Sequence, residues 1–158
     1  MDIALWGSVS GVERVEALRA ELADDPPAPY GLLGLRLTRV EKGAVEFSFT
    51  PGPGVLNRAD VVHGGFVATA LDEACGITAL TMSDPATPFL TMSLNIEYLR
   101  PLLAGRTYTV TGTVVHSGRV RTLTRAEISD EVGRLCATAT SALTPNRKVL
   151  EALDRSAD

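Results

Sequence analysis

The chain has 158 residues, 45% apolar and 22% charged, with two cysteines and a formal net charge of -4. That length suits one domain able to bury its own core, and an acidic balance without a block of Lys or Arg argues against a nucleic-acid surface. The longest nearly uncharged stretch, residues 61–82, contains His63, Asp72 and Glu73, which argues against a membrane span.

The opening Met1-Asp-Ile-Ala-Leu-Trp6 has neither the basic nor the long apolar region of a secretory leader, so a cytoplasmic protein is expected. Ser10-Gly-Val-Glu13 has the form of a capping box, and Val12, Val15, Leu18 and Leu22 recur at helical spacing. Together they predict an amphipathic helix over 11–23. Pro26, Pro27 and Pro29 end it and start an extended connector. Residues 33–40 and 44–50 read as strands joined by a Glu41-Lys42-Gly43 hairpin, and Val45, Phe47 and Phe49 mark the buried face of the second.

Pro51-Gly-Pro-Gly54 breaks the strand pattern, and residues 64–82 then run without proline in Ala, Leu, Thr and Ile. They make about four to five helical turns, apolar nearly all round, as in a buried helix. Residues 90–98 alternate strictly, with Leu90, Met92, Leu94, Ile96 and Tyr98 on one face and Thr91, Ser93, Asn95 and Glu97 on the other. Segments 106–116, 120–129 and 135–143 continue as strands, Arg119, Arg121 and Arg125 forming a positive stripe on one of them. Trp6, Tyr30 and Tyr98 suit either a pocket lining or the core, and core filling is the preferred expectation.

Turns at such short intervals favour antiparallel pairing. The predicted fold is α+β, with an antiparallel sheet of about six strands wrapped around one long central helix, plus a short N-terminal helix. One helix cannot cover both faces and the edges of that sheet, so self-association at least to a homodimer is expected. Cys75 and Cys136 match neither a disulfide framework nor a metal-ligand spacing and read as reduced, partly buried thiols.

The densest chemistry lies in Asn57-Arg-Ala-Asp-Val-Val-His63-Gly64-Gly65 and, further on, Ala70-Leu71-Asp72. Two glycines at the start of a helix let bare backbone N–H groups reach a ligand, which outlines an oxyanion or phosphate site. Asp72 lies two turns along the same helix, so polarising amides and a general base or nucleophile come from one rigid element.

The order of elements and this Asn, His-Gly-Gly and Asp spacing resemble the hotdog-fold acyl-CoA thioesterases of the phenylacetic-acid-degradation type. Asn95-Ile-Glu-Tyr98-Leu-Arg100-Pro101 and the pair running from His116-Ser-Gly118-Arg119 to Gly133-Arg-Leu-Cys-Ala137 extend the likeness over roughly residues 33–143. The resemblance implies a hotdog thioesterase domain over 31–145, preceded by a helix and connector in 1–30 and followed by a tail in 146–158. It also implies hydrolysis of an acyl-CoA to a carboxylic acid and CoA with no metal and no cofactor beyond the CoA of the substrate. The active sites would lie at the subunit interface of a homodimer or homotetramer, Gly64 of one chain facing Asp72 of the other.

On that basis Asp72 is the nucleophile or the base that activates water, and Glu73 is the runner-up, better suited to a structural or interface contact. Gly64 offers the oxyanion amide, while Gly65 permits close approach of backbone or substrate. Asn57 places the carbonyl or the water, or is a turn residue. His63 positions Asn57 or the thioester, or is satisfied by backbone groups. Thr91 supports the acid or holds water, or it and Ser93 are ordinary strand hydroxyls. Gly118 and Arg119 resemble the turn that meets the CoA nucleotide. A non-catalytic acyl-CoA-binding or sensing protein is the alternative function, though such a protein has no need of the full Asn57, Gly64 and Asp72 set. The Asp and His spacing expected of a hotdog dehydratase is not found.

Overall fold

The structure, a computed structural model, describes residues 6–24, 26, 27, 29–146 and 148. The first five residues, on which the leader expectation partly rests, and all of the predicted tail except Asn146 and Lys148 lie outside them. The elements in chain order are α1 (Gly11–Asp24), α2 (Tyr30–Leu33), β1 (Leu35–Glu41), β2 (Ala44–Phe49), α3 (Gly64–Leu80), β3 (Phe89–Tyr98), β4 (Tyr108–Ser117), β5 (Thr122–Ser129) and β6 (Leu135–Pro145).

Helix α1 starts on the capping box: the Ser10 N–H donates to the Glu13 carboxylate at 2.8 Å and the Glu13 N–H donates to Ser10 Oγ at 3.3 Å. Each side chain thus satisfies a donor that the helix start leaves without an intrahelical partner. Val15, Leu18 and Leu22 are its buried stripe, facing β1. The predicted extended connector differs from what is observed, because residues 30–33 wind into α2. Tyr30 and Leu33 are buried there, and Gly34, at φ 65°, closes the turn with the left-handed conformation that glycine adopts freely.

The six strands form one antiparallel sheet in the order β1-β2-β4-β5-β6-β3. Helix α3 lies across it, touching β2 through β6, and buries Val67, Ala70, Leu71, Ala74, Cys75 and Ile77. Phe47, Val110, Ala126, Ile128, Ala137 and Ala139 complete the core from the sheet side. The helix comes down to backbone distance on β4. A Cβ at Gly112 would lie 2.2 Å from Thr78 Oγ1 and 2.7 Å from the Ala74 carbonyl oxygen, so only glycine fits. This is the expected α+β hotdog arrangement, a sheet wrapped around a single long helix.

The register of β3 departs from strict alternation. Its pairing with β6 shifts between Thr91 and Ser93, a bulge that inserts Met92 as an extra residue. Thr91 is thereby turned to the same side as Leu94 and Ile96, which pack against the core, instead of sharing a face with Ser93. The same strand is a free edge, and it exposes apolar side chains: Leu90 is 51%, Met92 62% and Tyr98 54% exposed. Tyr98 is therefore not the core residue that its alternation suggests. The arginine stripe also dissolves. The Gly118 N–H bonds the Arg121 carbonyl at 3.0 Å, closing a turn that holds Arg119 and Arg121 outside β5. Arg125 remains in the strand, paired with Glu127 at 3.0 Å.

Candidate active site

The loop before α3 is built on its own backbone. Asn57 Oδ1 accepts the Ala59 N–H at 2.8 Å and the Val61 N–H at 3.4 Å, and the Asn57 N–H donates to the Val61 carbonyl at 2.8 Å. Asp60 takes a positive φ of 56° at the tip, a conformation that Asp tolerates better than most residues. The side-chain oxygen of Asn57 is thus a turn-maker, leaving its amide nitrogen for any ligand. The Val62 N–H reaches the Leu102 carbonyl and the His63 N–H the Val55 carbonyl, both at 2.9 Å, so the loop delivers His63 to one fixed place.

That place is the N-cap of α3. His63 is extended (φ -62°, ψ 135°), and its Nδ1 accepts the Gly65 N–H at 3.0 Å. Accepting at Nδ1 puts the proton of the neutral ring on Nε2. The cap also separates the two glycines chemically. Gly65's amide is engaged, whereas Gly64's, in the first turn, has no intrahelical acceptor and none among the described residues. It sits at the positive end of the α3 dipole. Tyr98, displaced from the core by the edge position of β3, covers this point: its hydroxyl donates to the Gly64 carbonyl at 3.0 Å, and its ring lies 3.5 Å from where a Gly64 Cβ would stand. Removing the cap in His63→Ala is expected to lower stability by about 1 kcal/mol, and His63→Asn to restore most of it. Denaturant midpoints at constant m-value are the check.

Two turns on, Asp72 is half-buried and its Oδ1 accepts the Thr91 hydroxyl at 3.0 Å. The β3 bulge makes that contact possible. Glu73 turns away to a structural partner, the Tyr30 hydroxyl, which donates to Oε2 at 2.5 Å. Burial pushes the Glu73 carboxyl above the ordinary carboxylate range, and burial together with the Glu73 charge raises Tyr30. A cavity of about 250 Å³ opens beside the two acids, walled by Trp6, Asp72, Glu73, Gly76, Phe89 and Thr91 among others. Trp6 is only partly buried and faces this space, so core filling is half of its role.

Asn57 and His63 line one open groove at the α3 start, with Gly64 and Gly65 following His63 as the first residues of the helix, and Asp72 meets Thr91 at a second point. Eight residues separate Gly64 from Asp72, about 12 Å along the helix axis. A carbonyl oxygen about 3 Å from the Gly64 amide is therefore out of reach of Asp72 in the same chain. Gly118 and Arg119 line neither the groove nor the cavity and sit in the exposed β4–β5 turn. The Thr144 hydroxyl bonds the Val120 carbonyl at 2.9 Å and ties that turn to β6. Cys75 is fully buried, and burial pushes its thiol up to about 11, which removes it as a nucleophile at neutral pH.

A family model described as the thioesterase superfamily matches residues 59–137, the span that begins just after Asn57 and ends in β6. A Saccharolobus solfataricus protein that carries an esterase name is 30% identical over 110 residues, 70% of this chain and 77% of that protein. A medium/long-chain acyl-CoA thioesterase of Salmonella typhimurium is 29% identical over 124 residues, 69% of this chain and 79% of its own. Among solved structures, a phenylacetic acid degradation-related protein of Ralstonia eutropha superposes with a TM-score of 0.69 at 26% identity, over 78% of this chain and 96% of that one. No helix among the described residues is long and apolar enough to cross a membrane.

Proposed function

This chain belongs to the thioesterase superfamily, and we propose that it hydrolyses acyl-CoA thioesters to a carboxylic acid and free CoA in an active site shared by two copies. The observation that carries this proposal is the pair of half-sites on α3. One is an unengaged amide at Gly64, and the other is a half-buried Asp72 oriented by Thr91 beside a cavity. Neither half reaches the other within one chain. Two antiparallel copies of the helix bring them together, and the free, apolar edge of β3 is the surface that such a pairing would cover.

In the assembled site the thioester oxygen accepts the Gly64 N–H of one chain, which polarises the carbonyl where negative charge develops. His63 and Tyr98 hold the helix start in register, and the Asn57 amide nitrogen, which its own turn does not use, is assigned to orienting the carbonyl or the water. Asp72 of the other chain either removes a proton from water as the water oxygen bonds the carbonyl carbon, or attacks that carbon itself, in which case loss of the thiolate leaves an aspartyl anhydride that water hydrolyses to the acid, restoring Asp72. Collapse of the tetrahedral species breaks the C–S bond and the sulfur leaves as the CoA thiolate, a good leaving group. Gly118 and Arg119 are assigned to the nucleotide end of CoA, where an exposed guanidinium suits phosphate.

The test is a panel of acyl-CoA thioesters, aromatic and straight-chain, followed by release of free thiol. Turnover on at least one class is expected. A folded oligomer that binds acyl-CoA and releases thiol from none of them would overturn hydrolysis in favour of a binding or sensing role.

A further inference from the structure

Building on the acyl-CoA hydrolysis proposed above, we propose that Gly76 and Trp6 together gauge the length of the acyl group, and that the matched substrates carry an apolar acyl chain of medium length. The first ground is geometric. Asp72, Gly76 and Leu80 follow one another at four-residue spacing, so they form a single stripe on α3, and all three line the same cavity. With the thioester carbon at Asp72, a chain laid along the stripe runs over Gly76 towards Leu80, about 12 Å away.

The second ground is Gly76 itself. Glycine inside a helix is disfavoured relative to alanine, and a glycine is usually explained by a close neighbour, as Gly112 is. At Gly76 an added Cβ would meet nothing within 4 Å. The missing side chain therefore corresponds to open space on the path of the chain rather than to packing.

The third ground is the wall. Trp6 lines the cavity from outside the span of the family match, and the segment that carries it is fixed. The Gly7 N–H donates to the Ala86 carbonyl at 3.0 Å and the Ala86 N–H to the Val9 carbonyl at 2.7 Å. The Arg14 guanidinium, 1% exposed, lies 5.2 Å from the Trp6 ring centroid, a cation-π contact that holds the ring.

Trp6 is the only tryptophan of the chain, so its emission reports occupancy of the cavity without any turnover. S-alkyl-CoA thioethers with ethyl, butyl, octyl and dodecyl chains are titrated into the wild-type oligomer. Octyl and longer chains are expected to shift Trp6 emission, and ethyl to leave it unmoved. Gly76→Leu should abolish the octyl shift and lower the octanoyl-to-butyryl ratio of kcat/KM by at least roughly thirtyfold. Gly76→Ala, which favours the helix, should move the ratio part of the way, and Trp6→Ala should move the optimum to longer chains. An emission response independent of chain length, or a chain-length profile that is the same in wild type and in the Gly76 variants, overturns the gauge. Should wild type release no thiol from any acyl-CoA, the hydrolase proposal falls, while the thioether titration still decides the gauge.

Discussion

Asp72→Asn is expected to lower kcat for acyl-CoA hydrolysis by about 10³-fold or more, with KM changed only a few-fold and the oligomer intact. The size follows from the chemistry, because a positioned carboxylate that moves a proton or attacks carbon in the transition state contributes there and not in the ground state. The substitution is also structurally mild. Asn keeps an Oδ1 that can still accept the Thr91 hydroxyl bond, 3.0 Å in the native site, and keeps the volume at the edge of the cavity. Asp72→Ala should be as inactive, which excludes slow deamidation of the Asn variant as a source of residual rate. Thr91→Val removes the orienting donor without touching the acid, and should give an intermediate loss in kcat, roughly tenfold to a hundredfold. Wild-type kcat in the Asp72 variants, with native size and circular dichroism, would show that the carboxylate has no part in the chemistry.

Much of this architecture was legible in the sequence because it depends on local rules. The capping box at Ser10 and Glu13, the alternation of Val45, Phe47 and Phe49, and the proline-free apolar run that became α3 each follow from periodicity or from one hydrogen-bond motif. The spacing of Asn57, His63, Gly64 and Asp72 likewise located both halves of the candidate site. What escaped was tertiary. The bulge at Met92 leaves no mark in a perfectly alternating strand, yet it decides which side of the sheet Thr91 faces. Tyr98 occupies an apolar position of the alternation, but β3 is an edge strand, so that position meets Gly64 and solvent instead of the core. Trp6 and Gly76 had no pattern of their own. They acquire meaning only from the cavity that the N-terminal segment and α3 enclose, which no periodicity reports.

The second large effect is expected from removing a single hydrogen-bond donor. Proline at Gly64 deletes the amide N–H and little else. Position 64 is the first residue of α3, where proline is the favoured imino substitute because the helix does not use that N–H. His63 before it already has the extended conformation (φ -62°, ψ 135°) that a following proline demands. The nearest atoms to an added Cβ are those of the Tyr98 ring at 3.5 Å, ordinary contact. Loss of one oxyanion donor should cost roughly 10²- to 10³-fold in kcat. The same variant then tests whether the site is shared. If Gly64 of one chain serves Asp72 of the other, a dimer made of one Gly64→Pro chain and one Asp72→Asn chain has one doubly damaged site and one intact site. Equal amounts exchanging at random make half the dimers mixed, and half the sites in those are intact, so about a quarter of wild-type activity should return from two nearly inactive parents. Differently tagged chains, co-expressed and purified as the mixed dimer, should show about half of wild-type turnover. A mixed dimer no more active than its parents would place both groups of each working site in a single chain, against the separation of about 12 Å that the helix imposes between them.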